Sequence, residues 1–124
     1  MDKKILLIED DLLIQEMYKS ELVRAGYQVV AFATGEDGIK ELENTQFDLI
    51  LLDIMLPGIN GLEVLKLIKQ NPKNKDLKVV LLTNLGNDDV IKKGFDLGAI
   101  GYLIKSAYNP DQVVSEVINF LKNP

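Results

Sequence analysis

Residues 5–11 have the sequence ILLIEDD, in which four consecutive aliphatic residues lead directly into three carboxylates. A short, continuous apolar run is typical of a strand covered on both faces of a sheet, and such strands are usually parallel. A similar run, LILLD, occupies residues 49–53 and ends on Asp53. Because the carboxyl ends of parallel strands meet at one edge of a sheet, the two runs predict a parallel sheet with a cluster of acidic side chains at that edge.

Three further apolar segments predict strands at residues 27–32, 79–82 and 102–104. The segments between the strands carry apolar residues at helical spacing and begin with side chains that cap helices. The predicted N-caps of the second to fifth helices are Thr34, Asn60, Asn87 and Asn109. Strand and helix thus alternate five times, which predicts an α/β fold of the (βα)5, flavodoxin-like type. Its doubly wound parallel sheet has the expected strand order 2-1-3-4-5.

The composition is that of one ordinary globular domain. The 124 residues are 47% hydrophobic and 27% charged, so we expect a single domain over residues 1–124. Cysteine and histidine are absent, which excludes disulfides, thiol catalysis, a Ser-His-Asp triad and a phosphohistidine donor. A net charge of -5 argues against nucleic-acid binding. We expect no membrane insertion and a cytoplasmic location, because no apolar run could span a bilayer and no signal-peptide pattern is present.

The residues at the ends of the predicted strands carry the chemistry. Glu9 and Asp10 follow the first strand, Asp53 ends the third, Thr83 ends the fourth and Lys105 follows the fifth. In the order 2-1-3-4-5, the ligand crevice lies beyond the first and third strands. An all-oxygen cluster favours a hard divalent ion, with Mg²⁺ the first candidate. A carboxylate beside that ion is a plausible nucleophile towards phosphorus, and lysine and threonine are suitable partners for phosphoryl oxygens.

Each of these residues has a simpler interpretation when it is taken alone. Asp10 would cap a helix, Asp53 would belong to the turn before Pro57 and Gly58, and Lys105 would be a solvated surface lysine. Their joint occurrence at the correct strand ends favours the functional interpretation.

The sequence resembles the receiver domains of two-component response regulators over essentially the whole chain. The resemblance rests on ILLIEDD at 5–11, DLILLDIMLPG at 48–58 with NG at 60–61, LLT at 81–83 and GAIGYLIK at 98–105. It implies a signalling switch in which Asp53 accepts a phosphoryl group from the phosphohistidine of a sensor kinase or phosphotransfer protein. It also implies that Asp10, Asp53 and the backbone carbonyl of Met55 ligate Mg²⁺, with Glu9 acting directly or through water.

The same resemblance assigns the remaining site residues. Thr83 and Lys105 would bind the phosphoryl oxygens, and Tyr102 would be the aromatic switch residue. Phosphorylation would change the surface around the fourth and fifth helices, which a downstream protein target would recognise. Catalysis by the chain itself would be limited to weak, Mg²⁺-dependent self-phosphorylation and self-dephosphorylation, so we do not expect an enzyme.

Four positions depart from the family pattern without removing a chemical group from the site. They are Asn84, Gly94, the pair Ile100–Gly101, and Ser106. Ile100–Gly101 replaces an acidic pair and argues against dimers formed through the last helices. Ser106 stands where proline is usual, so we expect a trans peptide bond after Lys105, because a cis bond before a non-proline residue costs about 2.5–4 kcal/mol.

Two other function classes compete with the signalling switch. A pseudo-receiver that binds partners without being phosphorylated remains the alternative, although the intact set Asp10, Asp53, Thr83 and Lys105 argues against it. An Mg²⁺-dependent phosphatase would need a substrate-binding cap and a second acid near its nucleophile. No insertion is long enough for a cap, and Met55 occupies the position where that acid is expected.

Overall fold

The computed structural model describes residues 3–84 and 88–122, in which five strands alternate with five α-helices. The strands are β1 (Lys4–Ile8), β2 (Gln28–Phe32), β3 (Leu49–Asp53), β4 (Lys78–Thr83) and β5 (Gly101–Ile104). The helices are α1 (Leu12–Arg24), α2 (Gly35–Leu42), α3 (Gly61–Gln70), α4 (Asp88–Asp96) and α5 (Pro110–Lys122). All strand pairs are parallel and the order is β2-β1-β3-β4-β5, which confirms the predicted fold.

The sheet separates two hydrophobic cores. Alternate residues of each strand face opposite sides, so that Leu6 and Ile8 pack in the core beneath α2, α3 and α4, whereas Ile5 and Leu7 pack against α1 and α5. The three central strands are buried almost throughout, as the continuous apolar runs predicted. The edge strand β5 instead alternates, and its Tyr102 is exposed, because an edge strand is covered incompletely.

Side-chain caps define the starts of the helices. The Thr34 hydroxyl accepts a hydrogen bond from the Asp37 N–H at 3.2 Å, and the Asn60 side chain accepts one from the Glu63 N–H at 3.0 Å. At α5, Asn109 and Gln112 each accept from the other's backbone N–H at 2.9 Å, which is a complete capping box. These three predicted caps are confirmed, whereas the predicted cap Asn87 lies outside the described residues.

Two glycines fix the position of α4 against the sheet. A Cβ at Gly94 would overlap the Cδ1 atom of Leu81, so glycine lets α4 approach β4 closely. Gly98 has a φ of 111°, a conformation that ends the helix and that side chains disfavour. Gly94 departs from the family pattern, and its packing on Leu81 explains why a residue without a side chain stands there.

Several details differ from the simple sequence pattern or refine it. Met17 has helical spacing with the buried Tyr18 and Leu22, yet it is 41% exposed because it lies at the margin of the α1 stripe.

Within the described residues there is no cis peptide bond, so the bond between Lys105 and Ser106 is trans as expected. No described helix combines the length and apolar character needed to span a membrane.

Candidate functional site: an acidic cluster with a buried lysine

Three carboxylates meet where β1 and β3 end. Glu9, Asp10 and Asp53 each place one carboxylate oxygen so that the three oxygens lie within 4.8 Å of one another. Glu9 is fully buried and Asp53 is 2% exposed, whereas Asp10 is exposed to solvent. The cluster follows directly from the pairing of β1 with β3, since Ile8 and Leu52 are register partners and the acidic residues come next.

A lysine lies between the two buried carboxylates. The Lys105 Nζ atom is 2.7 Å from Oε2 of Glu9, 2.9 Å from Oε1 of Glu9 and 2.9 Å from Oδ2 of Asp53. The Lys105 side chain is only 8% exposed. Because β5 is two strands away from β3, the long lysine side chain crosses the end of β4 to reach them.

Backbone groups orient both buried carboxylates. The Met55 N–H donates to Oδ1 of Asp53 at 3.0 Å, which leaves Oδ2 facing Lys105. The Asp11 N–H donates to Oε1 of Glu9 at 3.3 Å. The first residue of α3, Gly61, lies so close to the Asp53 carbonyl that a Cβ there would overlap it. The carboxyl end of β3 is therefore held by packed backbone rather than by a loose loop.

Burial and charge shift the pKa values of the site. Burial raises the pKa of Glu9 from 4.5 to about 7; the hydrogen bond from Lys105 opposes this rise, and the charge of Asp53 adds to it. Burial likewise raises the pKa of Asp53, against the opposing effects of Lys105 and the Met55 N–H. Burial alone would lower the pKa of Lys105, but its hydrogen bonds to Glu9 and Asp53 outweigh this and leave it raised. Two buried carboxylates and one ammonium are therefore electrostatically coupled.

The residues present fit a divalent cation. The Oε2 atom of Glu9 is buried and makes an ion pair with Lys105, but it has no hydrogen bond of good geometry within residues 3–84 and 88–122. When all three carboxylates are ionised, one ammonium leaves two negative charges without compensation. The donors are oxygen atoms, which is the set that Mg²⁺ prefers. Glu9, Asp10 and Asp53 thus form a suitable cluster for that ion.

Of the remaining residues singled out from the sequence, Thr83 and Met55 lie at the same edge of the sheet, and Tyr102 does not. Thr83 ends β4, is 6% exposed and is the register partner of Ile104, which precedes Lys105. Met55 follows β3 and is 68% exposed. Tyr102 lies farther down β5 and is 38% exposed.

One aromatic contact was not anticipated from the sequence. The ring of Phe95, at the end of α4, contacts the ring of Tyr102 edge to face, with centroids 6.1 Å apart and an interplanar angle of 80°. Phe95 is 46% exposed, and its spacing in the helix gave no sign of a partner on the next strand. Only the short connection between α4 and β5 could have pointed to this neighbour.

Comparison with known proteins agrees with this geometry. The family model described as "Response regulator receiver domain" matches residues 5–118. The chain is 42% identical over 101 residues to the transcriptional regulatory protein AfsQ1 of Streptomyces coelicolor, covering 82% of this chain and 44% of the relative. The chain spans about half the length of the curated relatives it matches.

Two solved structures superpose on nearly the whole chain. A response regulator from Chloroflexus aurantiacus has a TM-score of 0.90 at 32% identity, covering 99% of this chain and 100% of that one. The chemotaxis response regulator CheY4 of Vibrio cholerae has a TM-score of 0.89 at 26% identity, covering 98% and 99% respectively. The chain therefore belongs to the response regulator receiver domain family, the phosphorylation-activated signalling switches of two-component systems.

Proposed function

We propose that Asp53 accepts a phosphoryl group from the phosphohistidine of a sensor histidine kinase or phosphotransfer protein. The observation that carries this proposal is the buried Asp53 carboxylate, 2.9 Å from the Lys105 ammonium and within an acidic cluster. A cation beside an isolated buried carboxylate would be an ordinary ion pair. Here the same lysine also faces Glu9, so the site holds more negative charge than a structural ion pair requires.

In the proposed transfer, an Asp53 carboxylate oxygen attacks phosphorus, the bond from phosphorus to the donor imidazole nitrogen breaks, and neutral imidazole leaves after taking up a proton. The product is an acyl phosphate on Asp53. The Met55 N–H and Lys105 hold the carboxylate in one orientation before attack. Lys105 and Thr83 then donate hydrogen bonds to the phosphoryl oxygens, which carry the charge that the carboxylate has lost.

Glu9, Asp10, Asp53 and the backbone carbonyl of Met55 would hold Mg²⁺. When bound, this ion offsets the negative charge of the carboxylates and of the incoming phosphoryl group. The chain's own catalysis is then weak, Mg²⁺-dependent self-phosphorylation from small donors and self-dephosphorylation.

The response to phosphorylation involves Thr83 and Tyr102. A phosphoryl group at Asp53 draws the Thr83 hydroxyl inward, and Tyr102 moves from its exposed position into the space that becomes free. The surface formed by α4, β5 and α5 changes as a result, and a downstream protein target binds the altered surface. For this shift to occur, the phosphoryl group has to stabilise the altered arrangement more than the resting one.

We also propose that residues 1–124 act as one receiver domain in the cytoplasm and do not bind nucleic acid directly. Two cores on the faces of one sheet support the single domain, and the net charge of -5 opposes contact with phosphate backbones. AfsQ1 is named as a transcriptional regulatory protein and is about twice as long, so a role in transcription for such relatives is compatible with a receiver that acts only through protein contacts.

The test is incubation with Mg²⁺ and acetyl phosphate or phosphoramidate, followed by intact mass spectrometry. The wild type should gain one phosphate, and Asp53→Asn should gain none. Asp48→Asn is the matched control, because Asp48 is an exposed aspartate just before the same strand. Absence of an adduct on folded wild type would favour the pseudo-receiver, and an equal adduct on Asp53→Asn would refute the assignment of the acceptor.

A further inference from the structure

The contact between Phe95 and Tyr102 joins the end of α4 to the middle of β5. The two rings meet edge to face at 6.1 Å, an arrangement in which the positive edge of one ring faces the negative face of the other. Both residues are partly exposed, so neither ring belongs to the cores on the two faces of the sheet. The contact is therefore one that a movement of Tyr102 could break without opening a core.

The backbone between the two residues holds Phe95 in place. The Gly98 N–H donates to the Phe95 carbonyl at 3.0 Å, and the Ala99 N–H donates to the Gly94 carbonyl at 3.0 Å. The Ile100 N–H then donates to the Val79 carbonyl of β4 at 2.9 Å. Because this connection is short and hydrogen-bonded, the backbone of Phe95 is tied to that of β5, so a change in the position of the Tyr102 ring would alter the contact.

Tyr102 lies on the strand that leads to the site. Leu81 and Thr83 of β4 are the register partners of Tyr102 and Ile104, and Lys105 comes next. We propose that Phe95 is a positioning residue that holds Tyr102 in its exposed arrangement and so opposes activation in the unphosphorylated protein. This inference rests on the proposed function, in which Tyr102 leaves that arrangement when Asp53 is phosphorylated.

The expected effect follows from mass action. A ligand that binds only the activated arrangement binds more weakly when a contact stabilises the resting one. When the activated fraction is small, the affinity falls by the same factor as the equilibrium constant for activation. An edge-to-face aromatic contact corresponds to a change of about twofold to about tenfold in such an equilibrium. Replacing the Phe95 ring should therefore strengthen binding of an activating ligand, even though a stabilising contact has been removed.

The experiment measures binding of beryllofluoride in the presence of Mg²⁺ by calorimetry. Phe95→Leu removes the ring but keeps an apolar helix former, and we expect it to bind about twofold to about tenfold more tightly than wild type. Phe95→Tyr keeps a ring and should retain wild-type affinity. Leu67→Ala, which trims a comparably exposed apolar residue on α3, should also leave the affinity unchanged. A loss of general stability alone would not tighten binding.

A second variant separates coupling from local packing. In a Tyr102→Ala background, Phe95→Leu should no longer change the affinity, because the partner ring is absent. In the wild type, nuclear Overhauser contacts between the two rings should be present without ligand and lost with beryllofluoride. Unchanged or weaker binding by Phe95→Leu, an equal gain in the Tyr102→Ala background, or ring contacts that persist in the bound state would overturn the inference.

The proposed function and the role of Phe95 can be refuted separately. If wild type binds beryllofluoride and Asp53→Asn does not, the proposed function stands, and a null result for Phe95→Leu overturns only the role of Phe95. If wild type itself does not bind, the proposed function fails and the inference fails with it.

Discussion

The raised pKa of Glu9 predicts an unusual dependence of stability on pH in the metal-free protein. Moving this pKa from 4.5 to about 7 makes ionisation of Glu9 about 3 kcal/mol more costly in the folded protein than in the unfolded chain. Between these two values the folded protein retains a proton that the unfolded chain has released. The stability that Glu9 contributes is thus fully present below 4.5 and is lost as the pH rises to about 7.

Urea denaturation in EDTA measures this loss. From about pH 5.5 to about pH 7.5, the Glu9 contribution to the free energy of unfolding should fall by about 2 kcal/mol. The raised pKa of Asp53 acts in the same direction. Glu9→Gln should remove most of the slope, and Glu16→Gln, which changes an exposed glutamate on α1, should keep it.

Mg²⁺ at saturating concentration should reverse the trend, because a bound cation favours ionised Glu9. The reasoning would be refuted if the wild type and Glu9→Gln lost stability in parallel over this pH range. It would equally be refuted if the metal-free wild type became more stable with rising pH while Glu9→Gln did not.

Three further predictions concern the cluster and its supports. Mg²⁺ at about 100 times its dissociation constant should add about 2.7 kcal/mol to the wild type and much less to Asp10→Asn, as followed by thermal melting; equal gains would mean that the cation binds elsewhere. Lys69→Met should lower the free energy of unfolding in urea by about 2 kcal/mol, because the Lys69 Nζ atom donates to three backbone carbonyls after α3. Lys66→Met, on the exposed side of α3, should change this free energy little. Gly61→Ala should destabilise by about 1–3 kcal/mol and slow labelling by acetyl phosphate, because its Cβ would overlap the Asp53 carbonyl; a variant with wild-type stability and labelling would contradict this packing.

Much of the fold was predictable because local and global signals agree in this sequence. The runs at residues 5–8 and 49–52 are apolar at every position, a pattern typical of strands buried on both faces, and both form such strands. Asn60 and Asn109 could be identified as caps because each interaction is local, between a side chain and a backbone N–H three residues ahead. Strand order followed from the general rules for parallel α/β sheets.

The details that the sequence did not predict depend on packing between distant segments. Lys105 could be placed at a strand end, but its simultaneous contact with Glu9 and Asp53 depends on how a long side chain crosses β4. The contact of Phe95 with Tyr102 depends on the close approach of α4 to the sheet at Gly94, which no periodicity describes. Exposure of Tyr102 on an otherwise apolar strand likewise reflects incomplete cover at the sheet edge.

The central claim is that Asp53, and not a neighbouring carboxylate of the cluster, carries the phosphoryl group. The most direct measurement is borohydride reduction of protein treated with Mg²⁺ and acetyl phosphate, followed by peptide mapping, because borohydride converts an aspartyl phosphate to homoserine. The account predicts homoserine at position 53 in the wild type, none in protein treated without Mg²⁺, and none in Asp53→Asn. Homoserine at Asp10 or Asp11, or its complete absence from folded wild type, would contradict the account.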